Sequence, residues 1–169
     1  RPFRSSRVGP PTPARTTMPK ASPEAHAHPL ERLSGSVDRV EQIPSRVRFI
    51  FDFDPARALG RADVQAVLDE PGAREVIVAL AADLRTAPRL DKESFRAAAG
   101  RVRQATGMKG KHLFHPIRGA LTGEAGGPEL DLAVPAIERG ADLPAECGLA
   151  PIIGCRERAA AFAEVLGQQ

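Results

Sequence analysis

An all-α fold is expected from three features of the chain. Beyond Leu33, apolar side chains recur at the three- and four-residue spacing that lines one side of a helix. No segment alternates apolar and polar residues in the manner of a half-buried strand. With seven Phe and neither Trp nor Tyr, a core must be built mainly from Leu, Val, Ile and Ala, a set that suits helices.

Up to about Leu30 the chain is rich in Pro, Ser, Thr and Ala without apolar periodicity, so residues 1–32 are expected to be a disordered or spurious extension. Arg1, Arg4, Arg7, Arg15 and Lys20 share the charge pattern of organelle transit peptides, but the prolines oppose an amphipathic helix. Val40, Ile43, Val47, Ile50 and Phe51 then predict two short helices, with Pro44 opening the second. Asp52, Phe53 and Asp54 before Pro55 predict a break, because the residue before a proline is pushed away from helical angles. Val64, Val67 and Leu68 mark one further helix; Val76, Ile77, Leu80 and Leu84 mark another beyond Pro71-Gly72. Asp91 is placed to cap the helix carrying Phe95, Ala98, Ala99 and Val102, which Gly107 should close. Ala159, Phe162, Ala163 and Leu166 share one side of a last helix. The folded part divides into a first helical subdomain at 33–90 and a second at 91–169.

At 169 residues the chain holds one compact domain or two small helical ones, and a whole multidomain enzyme does not fit. It begins with Arg1, and Met18 is the first possible internal start, so a truncated reading frame or a fragment is expected. No apolar run approaches the ~18 residues of a membrane span, and a cytoplasmic monomer with no membrane partner is the expectation. Cys147 and Cys155, eight positions apart with no His nearby, match neither zinc-site spacing nor a disulfide scaffold and read as reduced thiols. No metal site and no catalytic constellation is expected: there is no Walker-type loop or Ser-His-Asp arrangement, and nothing is placed to activate either thiol for hydrolysis.

Net charge is only +3, but its distribution is uneven. Arg96, Arg101, Arg103, Lys109, Lys111 and Arg118 fall between Ser94 and Gly123 without a single acid. From Glu124 to Glu146 six acids accompany one base, Arg139. The first block can concentrate phosphate and the second can restrict the approach of polyanions; two solvated helix faces would leave the same trace.

Lys109-Gly110-Lys111-His112-Leu113-Phe114-His115-Pro116-Ile117-Arg118-Gly119-Ala120-Leu121-Thr122-Gly123, followed by Gly127-Pro128-Glu129-Leu130, carries the functional reading. It resembles the KGK-x-LF-x-P-(L/I)-R-x-A-LTG block and GP-x-L turn in the C-terminal domain of bacterial glutamyl-tRNA synthetases. The likeness extends upstream through Pro44 to Phe51 and Lys92 to Phe95, and downstream through Ile152 to Arg158, covering roughly Val37 to Leu166. It implies a helical anticodon-binding domain of the α-helix cage type, attached to a class I catalytic domain, with tRNA-Glu as partner. It further implies anticodon contacts by Arg118 and by the loop of Gly127, Pro128 and Leu130. A guanidinium can donate to pyrimidine acceptors, Gly127 removes bulk where backbone nears a base, Pro128 stiffens that approach, and Leu130 can pack on a base face. Lys109 and Lys111 are the candidates for tRNA backbone phosphates, with plain solvent exposure as the alternative. His112 and His115 read as local structural residues, and Leu113, Phe114, Ile117 and Leu121 as core.

The resemblance has gaps. Neither the HIGH-like nor the KMSKS-like segment of class I synthetases occurs in these residues, so no cofactor is expected here; ATP and magnesium belong to the catalytic domain. Residues 133–154 are richer in Pro and Gly than a simple helix, leaving their geometry open. The competing reading is a free-standing basic helical adaptor for RNA or protein.

Overall fold

Two of the described helices open on an aspartate side-chain cap, at Asp54 and at Asp91. The computed structural model describes residues 43–168, and all regular structure within them is helical. Helix α1 spans Ile43–Phe51, with Pro44 in the first turn, where its missing N–H has no intrahelical bond to lose. The expectations for residues 1–32, and for a helix before Ile43, lie outside the described residues.

The break at residues 52–54 is present, and a five-residue helix, α2 at Pro55–Leu59, follows it at once. The Asp54 carboxylate accepts the Arg57 backbone N–H at 3.0 Å, and Pro55 supplies a preset φ for the first turn. A proline that ends one helix thus starts another, which apolar periodicity is too short to reveal. Helix α3 spans Ala62–Leu68 and α4 spans Ala73–Leu84. Gly72 turns the chain between them at φ 82°, a value that side-chain-bearing residues avoid.

Asp91 and Ser94 form a reciprocal capping box at the start of α5, Lys92–Thr106, and Gly107 closes it in the left-handed region. Helix α6 spans Lys111–Thr122 and α7 spans Leu130–Ala141. The Pro- and Gly-rich stretch therefore begins inside α7, around Pro135, and continues through a short 3₁₀ turn at Ala145–Cys147 to Gly154. Helix α8, Cys155–Gly167, closes the described chain, with Ala159, Phe162 and Leu166 buried.

Helix α4 takes the centre, packed against α5, α6 and α8, and its Val76, Ile77, Leu80 and Leu84 are fully buried. The core is shared by helices on both sides of position 90: Leu80 and Leu84 belong to the same cluster as Phe95, Val102, Ile117 and Phe162. Its most unusual member is Arg158 of α8, which is fully buried and whose hydrogen bonds among the described residues all go to backbone carbonyls. Its guanidinium donates to the carbonyls of Phe49, Ile50, Leu121 and Ile153 at 2.7–3.0 Å and lies over the Phe53 ring. Three of those carbonyls stand in the last turns of α1 and α6, where intrahelical donors run out and the helix dipole is negative. Burial pushes the Arg158 pKa down to about 10, so it stays charged at neutral pH.

Candidate nucleic-acid interface

The hydrophobic side of α6 decides what its other side offers. Leu113, Ile117, Ala120 and Leu121 are buried, as their spacing requires. Phe114 departs from its expected place in the core: the residue is 41% exposed. A helix turns by about 100° per residue, which places Phe114 at the flank of the stripe formed by Leu113, Ile117, Ala120 and Leu121. The i, i+3, i+4, i+7 set of Lys111, Phe114, His115 and Arg118 consequently shares the outer face.

Arg118 is half-buried near the end of that face. Its Nη1 donates to the Pro128 carbonyl, ten residues further on, and so bridges the helix to the loop that follows it. Burial holds its pKa below the ordinary guanidinium value, with the Glu129 charge opposing that shift. Gly127 has φ 141°, and a Cβ there would come within 3.8 Å of Arg118 Nη1. The structure thereby brings Arg118, Gly127 and Pro128 together. Leu130 is placed differently, since its side chain is turned into the core at the start of α7. The apolar surface expected to meet a base is occupied by the protein, and Leu130 anchors the loop end instead.

Two further residues fasten the loop. The Thr122 hydroxyl donates to the Arg118 carbonyl at 2.9 Å and accepts the Glu124 backbone N–H at 3.3 Å. Asp63 of α3, itself paired with Arg61 at 2.9 Å, accepts the Ala125 N–H at 3.3 Å. Asp63 lies 62 positions from Ala125 and no local pattern links them. Thr122 had a local signal, because a hydroxyl beside a helix-closing glycine is poised to bond the exposed backbone.

The cations are less free than their clustering suggests. Arg101 pairs with Asp83 at 2.6 Å, and Arg96 and Lys92 both reach Asp131. Lys111 is 3.9 Å from Glu70, whose other oxygen meets His112 Nδ1 at 2.7 Å. Lys109 and Arg103 are exposed and form no side-chain hydrogen bond or ion pair among the described residues. The acidic block is likewise partly engaged, with Glu138 and Asp142 both on Arg89. Among the described residues no group of three or more His, Cys, Asp or Glu could hold a metal ion, and no helix is long and apolar enough to cross a membrane. Cys155 is buried, which pushes its thiol pKa well up and away from the nucleophilic thiolate; Cys147 is exposed.

A family model described as an anticodon binding domain matches residues 13–141. The glutamate–tRNA ligase of Bacillus velezensis is 42% identical over 77 residues, which cover 46% of this chain and 16% of that protein. That of Listeria welshimeri is 44% identical over 75 residues, 44% of this chain and 15% of the relative. Glutamate–tRNA ligase 1 of Maricaulis maris is 42% identical over 76 residues, 45% of this chain and 16% of that protein. The matched segments thus span about a sixth of the length of these curated relatives. No solved structure matches the chain.

Proposed function

The chain belongs to the anticodon binding domain family, and from that premise we propose that it grips the anticodon loop of a tRNA, with Arg118 and the loop from Gly123 to Glu129 as the reading element. The observation that carries this is the bridge from Arg118 Nη1 to the Pro128 carbonyl. It uses part of a guanidinium whose remaining N–H groups are left to address base acceptors, beside a glycine that keeps the approach clear. A loop tied down before binding costs little ordering entropy when RNA arrives. Unpaired loop bases are the part of an RNA that protein can read by edge and face, which suits a helical surface with no element for a groove.

The partner in this reading is tRNA-Glu, and the chain serves, as a monomer in the cytoplasm, as the tRNA-selecting part of a glutamate–tRNA ligase. Ligation with ATP and magnesium is assigned to segments outside these residues. Lys109 supplies backbone attraction, and Lys111 contributes less because Glu70 shares its charge.

Fluorescence anisotropy of the full 169-residue chain with labelled tRNA-Glu, beside an anticodon-substituted tRNA, tests the assignment. Binding to tRNA-Glu that weakens about tenfold or more with either the anticodon change or Arg118→Ala is expected. Equal binding to every RNA with a steep salt dependence would leave only a generic basic surface.

A further inference from the structure

Beside the Arg118 loop, a groove of about 430 Å³ lies between α5 and α6, within the size range of small-ligand sites. Buried Phe95, Ala99 and Leu113 contribute an apolar floor, and Phe114 presents its exposed ring at the edge. Arg103 and Lys109 line it too, and these are the two exposed cations of the basic block that no described acid neutralises. The one acid in the lining, Asp131, is already held by Arg96 and Lys92. At Gly100 a Cβ would meet nothing within 4 Å, so the groove is open there.

An exposed aromatic face over an apolar floor, flanked by uncommitted cations, is the composition of a base-stacking platform with phosphate contacts. Its position favours RNA over other anions. Phe114 precedes Arg118 by one turn on the same side of α6, about 6 Å along the axis. Asp131, at the other wall, opens α7 directly after the loop that Arg118 holds. Phe114 and Asp131 thus set the groove next to the loop in the chain and along α6.

We propose that this groove seats one unpaired nucleotide adjoining the bases presented to Arg118, with its base stacked on Phe114 and its phosphate between Arg103 and Lys109. The proposal rests on the RNA-binding assignment above and adds a site that reads no sequence. It gives affinity where Arg118 gives discrimination, because every base offers a π face.

The test uses the full chain and tRNA-Glu transcripts, with 2-aminopurine placed in turn at the nucleotides flanking the anticodon. One flanking position should change its emission on binding, and Phe114→Ala should abolish that change and weaken binding about tenfold, while the preference over an anticodon-substituted tRNA is kept. Arg103→Gln and Lys109→Gln should each lower the salt slope by about 0.7. Gly100→Glu, which fills open space with a carboxylate and leaves the fold and the Arg118 loop untouched, should weaken binding equally. Wild-type affinity and an unchanged emission response in Phe114→Ala and Gly100→Glu, with Arg118→Ala still impaired, would overturn the groove and leave the anticodon assignment standing. Failure of the wild-type chain to bind any tRNA would overturn both.

Discussion

Single side chains carry unequal shares of this molecule. Arg158→Ala leaves three buried carbonyls, and the more exposed one of Ile153, without their donor, a loss of about 3–5 kcal/mol, against a total stability of about 5–15 kcal/mol for a domain. Denaturant titration should show a markedly lowered midpoint. Arg158→Lys should recover only part, since an ammonium lacks the planar fork that spans acceptors from three elements. Gly127→Ala forces a side chain into a φ of 141°, at a cost of about 1–3 kcal/mol. Because the strain sits in the loop, it should appear more in tRNA affinity than in the unfolding midpoint. Arg158 had no signal in the sequence beyond its place in the closing segment of the resemblance; a charged residue in an apolar pattern reads as surface until its carbonyl partners, up to 109 positions away, are known.

Elements were legible where a local rule acts. The Asp91 cap, the Gly107 stop and the stripe from Val76 to Leu84 all fell where periodicity and capping put them. Helix α2 was hidden because five residues contain too little period, and Phe114 was misplaced because it lies at the flank of the apolar stripe, where no neighbouring element covers it fully. The loop after α6 depends on partners that the chain brings from afar, Asp63 above all. The Arg61 guanidinium, desolvation opposing it, and the Ala125 N–H set the Asp63 carboxyl below the usual value of 3.8. Its folded pKa is depressed, so its contribution is fully present above about pH 4 and is lost as pH falls through the folded value. Hydrogen-exchange protection at Ala125 and its neighbours, relative to the intrinsic rate, should fall in Asp63→Ala at neutral pH, and in the wild type only below that window. No loss of protection in the variant would mean that Thr122 and Arg118 hold the loop by themselves.

At the scale of the whole chain, one core draws on α1 through α8. Unfolding in urea should follow a single cooperative transition, coincident by far-ultraviolet dichroism and by hydrodynamic radius; two separated steps would mean that 33–90 and 91–169 fold as independent units. The family was readable because a run of residues near Arg118 keeps a fixed spacing, whereas the neutralisation of Arg96, Arg101 and Lys111 was not, since their acids sit on other elements. The buried guanidinium of α8 also imposes a schedule on biosynthesis. The Leu121 carbonyl it serves lies 37 residues earlier, and at a translation rate of about 5–20 residues per second that interval lasts roughly two to seven seconds. Until Arg158 is made, the carbonyls at the ends of α1 and α6 lack this donor, so the support beneath the loop after α6 is completed only when the last described helix is added.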